Sequence, residues 1–190
     1  MSETVTIKRG TEIELEIESL AYGGMGLARI ENFVIFVKYA IPGQKVLARI
    51  YKKRKGYAEA QVLETLVESP KAVDVCCKHY WICSKIQSLS YDEQIKEKSS
   101  QVEDAFVRLG GFLNFKLDKV QKANLIYHYR NKMEFTFSPN RWVLESEPEG
   151  VDKSFALGLH IPGRFDKILD IHNCHIPVSY THLRAHETYR

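Results

Sequence analysis

Eight residues near the N-terminus alternate strictly between two chemical classes: Thr11-Glu12-Ile13-Glu14-Leu15-Glu16-Ile17-Glu18. Side chains in a strand point alternately to opposite faces, so the three aliphatic residues share one face and the glutamates share the other. This period of two predicts a β-strand with one face in a hydrophobic core and one face in water. The first part of the chain is therefore expected to form a half-buried sheet.

Further short strands are predicted directly after this one. The segment Tyr22-Gly23-Gly24-Met25-Gly26 contains three glycines, which permit a tight reversal, so it is interpreted as a hairpin. The next strands are predicted at residues 27–30, 33–37, 45–51 and 57–66. Five short strands in about sixty residues indicate a small closed barrel of the OB type, because closure removes unpaired strand edges.

The composition is typical of an ordinary globular protein. The chain has 190 residues, of which 44% are hydrophobic and 27% charged, and a formal net charge of +3, too small by itself to indicate a polyanionic partner. It has no run of eighteen apolar residues, so no transmembrane helix is expected. The first residues lack the charged-then-apolar pattern of a signal peptide, and a cytoplasmic location without membrane contact is predicted.

Four consecutive cations, Lys52, Lys53, Arg54 and Lys55, stand between two tyrosines at the last predicted hairpin of the barrel. Cations neutralise phosphates and aromatic rings stack on unpaired bases, so this run and Tyr57 are candidate RNA contacts. The alternative is a solvated turn whose charges only increase solubility. The run in isolation favours the turn, and its position on an OB-like barrel favours RNA.

One long helix is predicted after the barrel. Ser90 and Glu93 have the spacing of a capping box, and Gly110-Gly111 ends the helical pattern. The apolar residues at helical spacing are Ile95, Val102, Phe106 and Leu109. Such a stripe must bury against another surface, most often the core of its own domain.

An antiparallel meander is predicted after the helix, with strands at residues 124–129, 132–137, 142–145 and 155–160. The join between the first two strands is unusually polar and contains Arg130 and Lys132. These cations are interpreted either as an exposed strand end or as a surface for RNA or a neighbouring domain. Residues 165–171 are expected to lead the chain back toward the last cysteine.

The cysteines form a close group of three and one distant member: Cys76, Cys77, Cys83 and Cys174. Thiolates that converge from separate segments can bind zinc or an iron–sulfur cluster. Two alternatives compete with a metal site: cysteines that only pack, and disulfides, which a reducing cytoplasm disfavours. The usual C-x-x-C pair is absent, so the spacing leaves all three interpretations open.

Residues 178–190 differ from the rest of the chain. They follow Pro177 abruptly, show no hydrophobic period and resemble a translated sequencing adapter. They are interpreted as a non-native tail, which excludes His182 and His186 as ligands. The natural protein is expected to continue past residue 177.

Several motifs in order resemble the bacterial RNA (uracil-C5)-methyltransferases. They are residues 88–96, Tyr129-Arg130-Asn131-Lys132-Met133-Glu134-Phe135, residues 157–160 and 163–167, and Asp170-Ile171-His172-Asn173-Cys174. The resemblance covers residues 5–177. It implies a mainly β fold with one long helix (α+β): an OB-like TRAM RNA-binding barrel at 5–67 and a small antiparallel-sheet cluster domain at 70–89 and 118–177.

The resemblance also implies the activity. Members use S-adenosylmethionine to make 5-methyluridine in 23S ribosomal or transfer RNA, and a monomer is expected at full length. Helix 90–111 is expected to pack on a Rossmann-like methyltransferase domain. The resemblance implies that this domain, with the cofactor-binding and catalytic residues, is missing from the chain, which should leave the apolar stripe of the helix partly uncovered. The chain alone is therefore predicted to be inactive. The alternative function is a non-catalytic RNA-binding adaptor with a structural metal site.

The resemblance finally implies a [4Fe–4S] cluster. Its ligands would be Cys77, Cys83 and Cys174, with Cys76 as the fourth, because the family's remaining cysteine position falls on Ile86 in this sequence.

Overall fold

A computed structural model of the protein describes residues 7–144 and 146–178. The chain divides into two compact units. The first unit contains the described residues up to Asp74 together with Lys85–Lys122, and the second contains Val75–Ser84 and the residues from Ala123 onward. The interpreted tail lies outside the described residues except for Val178, as do the first two residues of the predicted barrel.

The first unit contains a six-stranded sheet. Its strands are β1 (Glu12–Glu16), β2 (Ser19–Ala21), β3 (Met25–Ile30), β4 (Phe33–Lys38), β5 (Lys45–Lys53) and β6 (Tyr57–Val67). The order across the sheet is β1-β5-β6-β4-β3-β2. Strands β4 and β6 are parallel, and the other neighbours are antiparallel.

A two-residue bend joins β1 and β2, the strands at the two edges of the sheet. Only Ile17 and Glu18 separate β1 from β2 along the chain. The Ile17 amide donates to the Gln44 carbonyl at 2.9 Å, just before β5, and the Glu18 amide donates to the Leu27 carbonyl in β3 at 2.8 Å. The bend is therefore bonded to both ends, and the sheet curls into a barrel-like form.

The inward face of this barrel is aliphatic. Ile13, Leu15 and Ile17 are 9%, 3% and 3% exposed, whereas the glutamates between them lie on the surface. The core is completed by Ile35, Val37, Val46, Ala48, Ile50, Ala58 and Ala60. Each large aliphatic side chain buried in this way stabilises the fold by about 1.5–3 kcal/mol. The alternation seen in the sequence is thus the pattern that builds the core.

The mainly β, barrel-like form predicted for this part of the chain is confirmed, and the ends of the five predicted strands are correct to within two residues. The glycine-rich segment forms the predicted hairpin, in which the Gly24 amide donates to the Ala21 carbonyl at 3.0 Å. The structure adds one strand, β2, which has only three residues. A strand of that length is too short to show a period of two, and it was therefore missed.

The long helix has the predicted extent. Helix α2 (Tyr91–Asp104) continues into a π-helical segment (Ala105–Leu109) and ends at Gly110-Gly111, where Gly111 has a φ of 69°. No helix in the described ranges combines the length and the apolar character needed to cross a membrane.

The capping box predicted at Ser90 and Glu93 does not form its hydrogen bonds. Ser90 is the N-cap residue, but its hydroxyl makes no capping hydrogen bond. The Glu93 carboxylate pairs with Lys71 at 2.8 Å and also with Lys96. Because these two cations hold the carboxylate, it is not available for the reciprocal bond that defines the box.

The helix contacts the barrel through polar groups and leaves apolar side chains uncovered. The Leu20 amide of β2 donates to the Glu97 carboxylate at 3.0 Å. On the predicted stripe, Val102, Phe106 and Leu109 are 41%, 45% and 89% exposed. The expectation of a partly uncovered stripe is therefore confirmed, while docking on a further domain stays a prediction.

The second unit contains a four-stranded sheet of the order β7-β9-β10-β8. The strands are β7 (Thr136–Ser138), β8 (Arg141–Trp142), β9 (Ala156–Ile161) and β10 (Arg164–Asp170), and a one-turn helix α1 (Tyr80–Cys83) precedes them. Strands β10 and β8 are parallel, and the other pairs are antiparallel.

Several strand predictions in this unit are wrong. No strand forms at 124–129. In place of the strand predicted at 132–137 the structure has the shorter strand Thr136–Ser138, and in place of the one at 142–145 it has Arg141–Trp142. Glu145 lies outside the described residues. The sheet is mixed because β8 runs parallel to β10. Met133 and Phe135 of the segment 130–135 are partly buried, but its backbone forms only an isolated bridge from Arg130 to Pro177 among the described residues before Thr136, so the strand begins late.

Replacing Gly26 by alanine is expected to destabilise the barrel by about 1–3 kcal/mol, because overpacked cores must shift. A Cβ atom at this position would lie 2.9 Å from Ile17 Cγ2 and 3.1 Å from the Ala40 carbonyl oxygen. Gly56→Ala is the control, since a Cβ atom there meets nothing within 4 Å. Denaturant unfolding measures both variants, and equal stability would contradict the close packing at the bend.

Candidate nucleic-acid interface

The outward face of the barrel carries aromatic rings on three neighbouring strands. Phe36 in β4, Tyr57 in β6 and Tyr51 in β5 are half-buried and alternate with core residues of the same strands. The rings of Phe36 and Tyr57 meet edge to face with centroids 5.7 Å apart. Rings on a sheet surface provide platforms on which unpaired bases can stack.

Charged groups border these rings. The Lys38 ammonium lies 4.6 Å from the centre of the Tyr51 ring, a cation–π contact. The Glu59 carboxylate pairs with Lys52 and accepts the Tyr51 hydroxyl at 2.8 Å. Hydrogen bonds from Lys52 and then Tyr51 lower the pKa of Glu59. Burial, followed by the bond to Glu59, raises the pKa of Tyr51, so its hydroxyl stays a donor.

The first two cations of the basic run are held by the barrel itself. Lys52 is compensated by Glu59 across the β5–β6 hairpin. The Lys53 ammonium donates to the Ile7 carbonyl oxygen at 2.8 Å and lies 5.9 Å from the centre of the Phe33 ring. These lysines therefore bind protein groups that would compete with a phosphate.

The last two cations of the run are available. Arg54 and Lys55 are exposed at the hairpin turn, and neither forms an ion pair with another described residue. The Arg54 amide donates to the Tyr57 carbonyl at 2.8 Å, which fixes the turn. The structure thus divides the predicted patch into a structural half and an exposed half.

The second unit contains a cleft of about 510 Å³. It is lined by Cys83, Arg130, Asn131, Lys132, Met133, Glu134 and Leu159. Lys132 is paired with Glu134 at 3.0 Å, whereas the Arg130 guanidinium lies 3.5 Å from the Met133 sulfur and has no carboxylate partner among the described residues. The predicted RNA-binding residues of this unit therefore lie together at the cleft.

All four cysteines also belong to the second unit. Cys174 is buried beside Ile171 and Ile176. Cys83 opens on the cleft, yet the protein packed around it, and then the charges of Cys174 and Cys76, raise the pKa of its thiol. The two sequence segments that carry the cysteines thus come together in one region.

Two further side chains belong to this region. The Nε2 atom of His79 is buried without a hydrogen-bond partner in the described part of the chain. Burial, and then the charge of His175, lowers the pKa of His79. Burial and a hydrogen bond to Cys76 raise the pKa of Tyr127 to about 12. Burial thus favours the neutral forms of His79, Tyr127 and Cys83.

This arrangement does not fit a metal cluster as it stands. Within residues 7–144 and 146–178, no group of three or more His, Cys, Asp or Glu side chains has a geometry that could hold a metal ion. A [4Fe–4S] cluster needs four thiolates around one centre. None of the four cysteines, all of them described, forms a disulfide. The cluster and its ligands, Cys76, Cys77, Cys83 and Cys174, therefore stay a prediction.

Part of the aromatic face was missing from the sequence-based set of RNA-binding residues. That set contained Tyr57 but not Phe36, Lys38 or Tyr51. The signal was present in β4, where the inward direction of Ile35 and Val37 requires Phe36 and Lys38 to point outward.

Residues 7–63 match the TRAM domain family. Proteins named "Uncharacterized RNA methyltransferase" from Porphyromonas gingivalis and Bacteroides thetaiotaomicron are 38% and 39% identical to the chain. These matches cover 85% and 82% of this chain but 37% and 35% of the relatives. A similarly named protein from Clostridium tetani is 32% identical, over 90% of this chain and 36% of its own length. The chain thus spans little more than a third of the length of these curated relatives.

Replacing Glu59 by glutamine is expected to lower the free energy of unfolding by about 1 kcal/mol at pH 7. The folded pKa of Glu59 is below its ordinary value, so this contribution is complete above about pH 4.5 and is lost as the pH falls through the folded pKa. The stability difference between wild type and Glu59→Gln should therefore shrink below pH 4.

Glu14→Gln is the matched control, because Glu14 pairs with Lys45 at 2.8 Å in a more exposed position. Its effect should stay under about 0.5 kcal/mol at pH 7. Urea unfolding at pH 7 and pH 3 measures both variants. A Glu59→Gln deficit that is the same at both pH values would contradict the ionised network.

Proposed function

Because the chain belongs, as an N-terminal portion, to a family of proteins named RNA methyltransferases, we propose that it is the RNA-binding part of such an enzyme. The enzyme would be an S-adenosylmethionine-dependent uracil-5-methyltransferase that acts on ribosomal or transfer RNA. The observation that supports RNA binding most directly is the outward barrel face, where Phe36, Tyr51 and Tyr57 are bordered by Lys38. This face offers rings for bases and cations for phosphates, the two features that single-stranded RNA requires.

Stacking and phosphate neutralisation divide between different residues of the face. Stacking on a ring is worth about 1–3 kcal/mol per base. We assign this role to Phe36 and Tyr57, whose rings are in contact. Arg54 and Lys55 are assigned to phosphates, because their charges are not compensated by a carboxylate of the described chain. Each phosphate contact releases close to one counterion and so contributes to the salt dependence.

The cleft of the second unit is assigned to a further RNA contact. Its Arg130 guanidinium is planar and lacks a carboxylate partner among the described residues, so it can bind a phosphate through two hydrogen bonds or stack on a base. Lys132 must first leave Glu134, from which its ammonium is 3.0 Å away. Arg130 is therefore expected to be the stronger of the two contacts.

Methylation at C5 of uracil needs groups that we do not assign to this chain. A thiolate adds to C6 and makes C5 nucleophilic, C5 then takes the methyl group from S-adenosylmethionine, and a base removes the C5 proton so that the thiolate can leave. Of the cysteines, Cys174 is buried and Cys83 has a raised pKa, neither of which suits a nucleophile. We place these groups in the part of the relatives that this chain does not span.

A [4Fe–4S] cluster is not required for any step of this proposal. Iron and acid-labile sulfide measured in the anaerobically purified chain test its presence directly. Stoichiometric binding would require Cys76, Cys77, Cys83 and Cys174 to leave the positions described here, because no three of them form a metal-binding group.

The double substitution Arg54→Ala with Lys55→Ala is expected to weaken binding of a fluorescein-labelled 20-residue oligouridine. The slope of log K against log salt should fall by about 1.4, because two phosphate contacts on a single strand each contribute about 0.7. Fluorescence anisotropy at several salt concentrations measures the slope.

The matched control removes two cations that already have carboxylate partners. Lys45 pairs with Glu14 and Arg49 pairs with Glu12 on the barrel surface. The double variant Lys45→Ala with Arg49→Ala should change the slope much less. An unaltered slope in the Arg54 and Lys55 variant would exclude this turn from the RNA interface.

The chain alone is expected to bind RNA but to transfer no methyl group to it. Incubation with labelled S-adenosylmethionine and transcribed ribosomal or transfer RNA measures this, with oligouridine binding by the same sample as the control for folding. The full-length Porphyromonas gingivalis relative, assayed in parallel, should produce 5-methyluridine on nucleoside mass spectrometry. A different methylated nucleoside would refute the uracil-5 assignment, and methylation by the chain alone would refute its predicted inactivity.

A further inference from the structure

The β9–β10 hairpin of the second unit presents a nearly uncovered aromatic ring. Its turn contains Pro162 and Gly163, the latter with a φ of 80°. Phe165, directly after the turn in β10, is 86% exposed. The centre of the His160 ring is 6.1 Å from the centre of the Phe165 ring, although His160 pairs with Ile168 in the sheet, because the register shifts between Arg164 and Ile168. Exposing a phenylalanine to this extent loses the free energy that its burial would supply, so the position invites a functional explanation.

Two cations stand close to Phe165 in the sequence of β10, and both contact the indole of Trp142. The Arg164 guanidinium carbon is 5.8 Å, and the Lys167 ammonium 5.4 Å, from the centre of the Trp142 ring. Trp142 is in the edge strand β8, which pairs with β10. Cation–π contacts of this kind hold the two charged side chains near the hairpin.

The two cations differ in their remaining charge. Arg164 makes two hydrogen bonds of 2.9 Å to the carboxylate of Asp166, which compensates it. Lys167 forms no ion pair with any described residue. The hairpin therefore offers one uncovered ring, one uncompensated ammonium and one guanidinium held in a fixed plane.

We propose that the β9–β10 hairpin is a second stacking site for single-stranded RNA, in which Phe165 supports an unpaired base and Lys167 binds the adjoining phosphate. This inference rests on the proposed RNA-binding function. An exposed ring at position 165 with cations at positions 164 and 167 of the same strand suits a nucleotide, which has an apolar face and an anionic backbone. A protein-docking patch would instead have a core depleted of charge.

Phe165 variants test the ring without endangering the fold, because this side chain is almost fully exposed. Phe165→Ala should weaken binding of the labelled 20-residue oligouridine by about 5- to 150-fold, the range that one base stack provides. Phe165→Tyr should restore most of the affinity, whereas Phe165→Leu should not, since an aliphatic side chain has no π-face. Lys167→Ala should lower the salt slope by about 0.7.

Phe155→Ala is the matched control. Phe155 is also an exposed aromatic residue of this unit, at 57%, but its ring contacts Phe137 and its direct neighbours in the sequence, Ser154 and Ala156, are uncharged. Its removal should leave oligouridine affinity within about twofold of wild type. Photocrosslinking with 4-thiouridine in the oligonucleotide, followed by peptide mass spectrometry, should label residues of the hairpin in the wild-type chain.

The outcomes separate the two proposals. If Arg54→Ala with Lys55→Ala weakens binding while Phe165→Ala and Phe155→Ala are both silent, the hairpin is not an RNA site and the proposed function stands. If wild-type protein does not bind oligouridine at all, both proposals fail. If Phe165→Ala leaves RNA binding unchanged but alters the sedimentation coefficient, the ring serves contact between protein chains, which also overturns the inference.

Discussion

The first unit depends on a two-residue bend with hydrogen bonds to opposite ends of one sheet. The amides of Ile17 and Glu18 donate to carbonyls beside β5 and in β3, so a single turn of backbone fixes both outer strands. Within this sheet β6 pairs with β5 in a hairpin and with the more distant strand β4, so the three strands lie side by side. The aromatic face exists only because of that order, since Phe36, Tyr51 and Tyr57 each come from a different strand.

The sequence predicts the first unit and the two longer strands of the second unit well, but it misplaces the short strands of the second unit, for one physical reason. In the barrel, the alternation of residues such as Ile13 and Glu14 reports directly which face is buried. In the second unit the strands β7 and β8 have three and two residues, and β8 exists because Trp142 pairs with Leu169 far along the chain. Long-range pairing leaves no local period, so propensity alone cannot locate these strands.

The candidate site shows the same division between local and distant information. The run of cations and Tyr57 could be recognised from the sequence, and the outward direction of Phe36 follows from the strand pattern. The role of Lys53 could not be foreseen, because its ammonium bonds to the Ile7 carbonyl, a backbone atom 46 positions away. Likewise, the sequence indicated that the two cysteine-containing segments meet, and both belong to one unit. The spacing of the cysteines could not indicate whether their thiols form a metal-binding group.

The unequal roles of the four adjacent cations have an evolutionary consequence. Lys52 and Lys53 are tied to groups that hold the barrel together, so exchanging them risks the fold. Arg54 and Lys55 form no such contact, so evolution can change the residues, the length or the charge of the β5–β6 turn while the barrel stays intact. Selection for a new nucleic-acid target can therefore act on two codons without first acquiring compensating changes elsewhere.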